Sequence, residues 1–187
     1  MWIKRVYEYS TDDFCPGDII EFSLTDGEAV EALAVKSDLH GTLFCLRDCL
    51  KTSYQMNDRN TNEGGYASSV LRKRLNSEIL SRFPNDIRER MVPFENGDFL
   101  RLPTEEEIFG RNEYGEPAGT GFRQWEPMAL RHNRIALEGK DGSTTWYWLQ
   151  NKRKNSSYYF CVADGGGSPR YGNAGFSTGV RPAFYIC

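Results

Sequence analysis

Apolar and polar positions first alternate in Ile19-Ile20-Glu21-Phe22-Ser23-Leu24, ahead of Asp26-Gly27 and the small and branched residues of 29–35. Two such runs around an Asp-Gly turn predict a β-hairpin. Residues 42–46 predict a further short strand, and the polar, Asn-, Asp- and Gly-rich stretch 52–65 a loop. The period then changes. Leu71, Leu75 and Ile79 recur every fourth position, with Leu80 and Phe83 widening the stripe, which predicts a helix over 70–83. Ser68 or Ser69 can cap it and Pro84 stops it. Asn85 can cap a short second helix running to Arg90. Arg72, Lys73, Arg74 and Arg82 lie mostly off the stripe and read as a solvated face.

Residues 99–102 look strand-like. Thr104 and Glu107 then stand at capping-box spacing, and Glu105, Glu106 and Glu107 fill a first turn where the helix dipole favours acids. That position explains three adjacent carboxylates without acid–base chemistry. Gly110 is placed to end this helix. Residues 111–142 are punctuated by Gly, Pro and charge, with only 128–130 and 135–137 apolar, and read as loops and short pieces. Three β-prone runs follow, at 144–149, 158–162 and 179–186. On a strand Trp146 and Trp148 share one face and read as core, with Tyr147 opposite. Arg181 precedes Pro182, is therefore held extended, and reads as a structural ion pair or hydrogen-bond clamp. Strands, then helices, then strands make an α+β unit whose first and last strands are expected side by side.

Composition narrows the class. The 187 residues are 39% hydrophobic and 26% charged, which excludes both a membrane protein and a disordered chain. The net charge of -3 lacks the basic excess of a nucleic-acid binder, so no nucleic-acid partner is expected. No window approaches 18 apolar residues, so no membrane insertion is expected. Residues 1–8 lack the apolar run of a signal peptide, which places the chain in the cytoplasm as synthesised, with a phage particle or release by lysis still open. The five cysteines are odd in number and irregularly spaced; they read as reduced thiols, with no metal and no cofactor.

One segment stands apart. Of the 28 positions from 150 to 177, 15 are Asn, Ser, Tyr or Gly, and Lys152, Arg153, Lys154 and Arg170 face a single acid, Asp164. Tyr gives amphipathic contact area at low entropic cost, and Ser, Gly and Asn give adaptable hydrogen bonding. The same residues also serve as turn and strand material. Read as a ligand-binding loop segment, 150–177 offers Asn151, Arg153, Asn155, Tyr158, Tyr159, Arg170, Tyr171 and Asn173 as contacts. Tyr158 and Tyr159 are adjacent, so on a strand only one of them faces the ligand.

The segment lies between Trp146-Tyr147-Trp148-Leu149 and Gly179-Val180-Arg181-Pro182-Ala183. With Ser69-Val70-Leu71-Arg72-Lys73-Arg74-Leu75-Asn76 and the 99–107 junction, these anchors make residues 17–187 resemble a family of bacterial and phage domains with a C-type-lectin-like fold. Gln150-Asn151 stands where that family usually has Arg-Ser, so no role for that Arg carries over. The resemblance implies an α+β, C-type-lectin-like fold: small antiparallel sheets with two or three helices and long loops. It implies one domain over 1–187, with 1–16 as an N-terminal extension. Relatives of this kind include variable proteins of diversity-generating retroelements, phage receptor-binding proteins among them. The expected function is a non-catalytic module that binds a protein or a cell-surface glycan. Two alternatives stand beside it: an enzyme of the formylglycine-generating type using Cys161 and Cys187, and a structural piece of a phage tail or other assembly. A calcium-dependent sugar site is not expected, because Met128 follows Glu126-Pro127 where an Asn would be needed and no acidic cluster lies near the C-terminus.

Overall fold

The computed structural model describes residues 14–187, so most of the 1–16 extension lies outside the described residues. The strands, in chain order, are β1 (Ile19–Ser23), β2 (Ala29–Asp38), β3 (Gly41–Leu46), β4 (Tyr54–Gln55), β5 (Met91–Val92), β6 (Ala136–Leu137), β7 (Thr144–Thr145), β8 (Tyr147–Lys152), β9 (Tyr159–Ala163), β10 (Pro169–Asn173), β11 (Ser177–Thr178) and β12 (Ala183–Ile186). Five form a sheet in the order β1-β2-β3-β12-β5, three form a second in the order β10-β9-β8, and the others make two-stranded ladders. All of these pairings are antiparallel. The chain is mixed α/β, with small antiparallel sheets and few, short helices.

The expected first hairpin forms, pairing Ile19 with Leu33 through Ser23 with Ala29. Gly27 supplies the left-handed backbone its turn requires, at φ 85°. The last strand departs from expectation. β12 pairs with β3 on one side and β5 on the other, so two strands, β3 and β2, separate it from β1. Burial explains the order. β3 is apolar on both faces and takes the centre, whereas β1 alternates exposed and half-buried positions and suits an edge.

The expected helix runs from Val70, but its middle turn, Leu75–Ile79, is a π-helix. Leu71, Leu75, Ile79 and Phe83 are all buried, as their spacing requires. Of the two serines, Ser69 is the cap: its hydroxyl accepts from the Arg72 N–H. The π turn presents Asn76 to residues 99–102. The Asn76 Oδ1 accepts from the N–H groups of Phe99 (2.7 Å) and Leu100 (3.0 Å), and its Nδ2 donates to the Leu100 carbonyl (2.8 Å). That stretch hangs from the helix and joins the sheet only at an Arg101↔Ala183 bridge. Asn85 does not cap. Pro84 takes the cap position of the Asn85–Arg88 helix, and the Asn85 side chain accepts from Arg88 instead.

Two cores flank the structure's strands. One gathers Phe44, Phe184, Leu71, Leu75, Trp148, Phe160 and Val162; the other gathers Leu43, Cys45, Tyr147, Leu149, Cys161, Ile108 and Trp125. Alternate residues of β8 and β9 thus enter different cores, and neither strand spends a face on solvent. Trp148 is core as expected, its Nε1 donating to the Tyr54 carbonyl. Trp146 is not core: it precedes β8, falls outside the strand's alternation, and is 47% exposed. Arg181 is a buried hydrogen-bond clamp, donating from Nε to the Leu46 carbonyl (2.5 Å) and from NH1 to the Tyr147 hydroxyl (3.3 Å). No helix among the described residues is long and apolar enough to cross a membrane.

Replacing Asn76 with alanine leaves two part-buried N–H groups and a carbonyl without this partner. We expect Asn76→Ala to cost about 1–3 kcal/mol, read as a lower urea midpoint at unchanged slope.

Candidate functional site

Half of residues 150–177 lie in strands and half in the connections between them. The Gly, Ser and Asn content is concentrated in the connections, while Tyr159–Ala163 alternates into both cores. Asn155 turns the β8–β9 connection at φ 57° and is exposed. Gly172 packs closely on the Trp148 ring, which a Cβ there would approach to 3.2 Å.

Pairing assigns the faces. Tyr171 lies opposite Cys161 and Asn173 opposite Tyr159, so these share one face; Arg170, opposite Val162, lies on the other. The Arg153 N–H donates to the Tyr159 carbonyl. The Arg153 guanidinium stacks on the Tyr171 ring, 3.6 Å from its centroid, and lies 5.5 Å from that of Tyr159. Tyr159 and Tyr114 both pack on Tyr171 at 5.4 Å. Arg153 and all three tyrosines are half-buried or partly exposed. None of the Arg153 guanidinium N–H groups has an acceptor among the described residues.

Three of the eight expected contacts, Arg153, Tyr159 and Tyr171, thus come together. Asn173 lies on the same face, but its Oδ1 accepts from the Gly175 N–H and shapes a turn. Arg170 is on the opposite face, 3.7 Å from Asp164. Tyr158 precedes β9 and is 55% exposed, apart from the cluster. Asn151 departs most from expectation: it is 2% exposed, and its amide is fully engaged. Its Oδ1 accepts from the Glu105 N–H (2.6 Å), and its Nδ2 reaches Glu106 (2.9 Å), the Glu116 carbonyl (2.9 Å) and Asn112 (3.1 Å). Its side-chain oxygen and nitrogen are thus engaged within the chain, where they tie β8 to residues 105–116. Tyr114 was not among the expected contacts, because nothing in its local sequence signals a partner 57 residues away.

The acids of 105–107 place Tyr114. The capping box forms as expected, and Gly110 ends the helix in the left-handed region. The acids do more than complement a dipole. Glu107 pairs with Arg101 through both oxygens, at 2.6 and 2.7 Å. Glu105 accepts from the N–H groups of Tyr114 (3.0 Å) and Gly115 (2.7 Å), with the Cys161 thiol 3.8 Å away. Gly115 then bridges to Arg153, which sets Tyr114 beside Tyr171.

These carboxyls titrate in opposite directions. Burial raises the Glu105 pKa above the ordinary glutamate value, against the pull of the Tyr114 and Gly115 N–H groups. Burial also acts on Glu106, but the Asn151 and Asn112 amides outweigh it and leave that pKa lowered. Cys161 is buried, and burial together with the Glu105 carboxyl raises its thiol well above the usual range. Burial pushes Cys45 up to about 11 and raises Cys49 as well. Among the described residues, no group of three or more His, Cys, Asp or Glu is placed to hold a metal ion.

Residues 40–187 match the family described as Domain of unknown function (DUF6273). The chain belongs to this family. No curated protein and no solved structure matches it. The DUF6273 match includes β3 through β12, both anchors, the tyrosine–arginine cluster and its acidic supports; β1 and β2 precede it.

Two measurements check this chemistry. Carbon-detected NMR titration is expected to find Glu105 titrating above, and Glu106 below, the ordinary glutamate value. Their stability contributions then have opposite sign: that of Glu106 is present above its unfolded pKa and lost as pH falls through its folded value, whereas that of Glu105 is present below its unfolded pKa and lost as pH rises through its folded value. Native thiol labelling at neutral pH is expected to modify the exposed Cys15 and Cys187, while Cys45, Cys49 and Cys161 react only after unfolding. Rapid native labelling of Cys161 would contradict the sealed thiol described above.

Proposed function

We propose that this domain is a non-catalytic ligand-binding module of C-type-lectin-like fold, and that it recognises a protein partner through Arg153, Tyr114, Tyr159 and Tyr171. One observation carries the reading: a guanidinium stacked on Tyr171 at 3.6 Å with no acceptor of its own among the described residues. Stacking orients the planar fork and leaves its edge free for a carboxylate or carbonyl, the bidentate geometry at which arginine excels. Three tyrosines around it supply rigid contact area at small entropic cost.

The fold-level reading draws support from the Tyr147↔Gly179 bridge, which brings the two anchor sequences together. A variable protein of a diversity-generating retroelement is the finer version of the proposal, and it rests on the Tyr, Asn and Ser content of 150–177. The enzyme alternative draws little from Cys161, since burial beside a carboxyl disfavours the nucleophilic thiolate.

Peptide display panned in parallel on the wild-type chain and on Arg153→Ala tests the proposal. Wild-type protein is expected to enrich peptides bearing Asp or Glu. Those peptides are expected to bind Arg153→Ala at least about tenfold more weakly, a loss of about 1.4 kcal/mol or more. Circular dichroism should stay unchanged and the melting temperature should fall only slightly, because the lost side chain is half-exposed and makes no hydrogen bond, only its stack on the tyrosine rings. Equal binding to both proteins would rule out Arg153 as the anchor.

A further inference from the structure

A cleft of about 940 Å³ opens on a different part of the molecule, between the end of the β2–β3 hairpin, residues 93–96 and residues 120–126. Arg153, Tyr159 and Tyr171 do not line it. Its size falls within the range of small-ligand sites. Its walls carry aromatic rings, Phe94 and Phe122 half-buried, with Trp125 and Tyr185 deeper.

The charges along it are largely cancelled from within. Arg101 is held by Glu107 at 2.6 Å and stacks under Phe94 at 4.8 Å, and Lys36 is held by Asp38 at 2.6 Å. The exposed rim carries charges of both signs, Arg123 with Glu95 and Glu126. Among the described residues, no unpaired cation lies at the floor to hold a phosphate or carboxylate, and no unpaired anion to hold an ammonium.

Hydrogen-bonding capacity nevertheless remains. The Arg101 Nε–H has no acceptor among the described residues, its bonds to Glu107 and Leu102 being made through NH1 and NH2. The Gln150 amide nitrogen is fixed on the Leu102 carbonyl at 2.6 Å, which leaves its Oε1 as an open acceptor. A second cleft of about 280 Å³ shares Asn96, Arg101 and Gln150 with the first, so the groove continues past them.

A ligand that fits this set is uncharged, has flat apolar faces for the rings, and carries both donors and acceptors along its edge. Sugar rings have this character: C–H faces that stack on aromatics and hydroxyls that give and take hydrogen bonds. We propose that the cleft binds an uncharged oligosaccharide, its rings against Phe94 and Phe122 and its hydroxyls bonded to Arg101 and Gln150. The site is independent of the Arg153 surface and requires no metal.

The test uses the full chain on an array of uncharged oligosaccharides built from glucose, galactose, mannose and N-acetylhexosamines, with sialylated glycans and adenosine as comparison probes. Binding by at least one uncharged glycan is expected, with a Kd of about 1 mM or tighter in solution titration. Phe122→Ala is expected to weaken it at least about tenfold. Phe122→Leu keeps most of the volume, guards against a folding artefact, and should also weaken it, because the ring face is gone. Arg153→Ala and Tyr171→Ala should leave it unchanged. Binding by none of the uncharged glycans, preference for sialylated glycans or adenosine, or indifference to both Phe122 variants overturns the proposal. Loss of binding in Arg153→Ala alone would move the sugar to the other surface and overturn it as well.

Discussion

A single helical turn, Glu105-Glu106-Glu107, holds the surrounding structure together by sending three carboxylates to three destinations. Glu107 closes the capping box and grips Arg101. Glu105 turns to the backbone of Tyr114 and Gly115, and Glu106 meets the amides of Asn112 and Asn151. Removing such groups from water costs several kcal/mol each, and only multiple short hydrogen bonds offset that cost. The turn therefore tolerates little rearrangement. Gly115 shows how closely it is packed: a Cβ there would lie 2.6 Å from both the Asn151 side chain and the Glu105 carboxylate. Tyr114 and Arg101, which lie in different candidate sites, both take their positions from this one turn.

The parts of this arrangement legible in the sequence are the local ones. Thr104 and Glu107 are three residues apart, so the box between them is written in adjacent letters, as are Gly110 as terminator and the phase of Leu71, Leu75 and Ile79. What those letters omit is which distant segment each side chain meets. Asn151 illustrates the gap. Its Asn-, Ser- and Gly-rich neighbourhood suggests an exposed loop, yet four partners from 105–116 saturate its amide. Trp146 and Trp148 illustrate another. Alternation predicts one shared face, but it holds only within a strand, and β8 begins between them. The composition of 150–177 misleads for a related reason: three short strands need two tight connections, and those absorb Gly165, Gly166, Gly167 and Asn155 while Tyr159–Ala163 builds sheet.

The small sheet is a stiff platform because neither β8 nor β9 leaves a face unpacked. Trp148, Phe160 and Val162 enter one core and Tyr147, Leu149 and Cys161 the other. Side chains that emerge where these strands run out, Arg153 and Tyr159 among them, inherit that rigidity. Contacts displayed from a rigid base lose little freedom on association, which is the physical advantage of a binding surface built on a sheet over one built on a free loop.

Among the described residues five arginines lie over aromatic rings, and for three of them, Arg181, Arg101 and Arg153, the remaining partners separate their roles. Arg181 lies over Tyr147, is 1% exposed, and spends its bonds on the Leu46 carbonyl and the Tyr147 hydroxyl. Arg101 lies under Phe94 and is neutralised by both oxygens of Glu107, so it contributes little net charge and keeps its Nε–H and one NH2 hydrogen as remaining donors. Arg153 stacks closest of the three, at 3.6 Å from the Tyr171 centroid, and has no carboxylate or carbonyl acceptor among the described residues. A stacked guanidinium with an acceptor is a structural fastener, while one without an acceptor keeps its donors in water, ready to exchange water for a partner at small reorganisation cost. Aromatic contact alone therefore does not mark a recognition residue. The missing acceptor distinguishes Arg153 from Arg181 and Arg101, and it requires that whatever docks there bring an acceptor of its own.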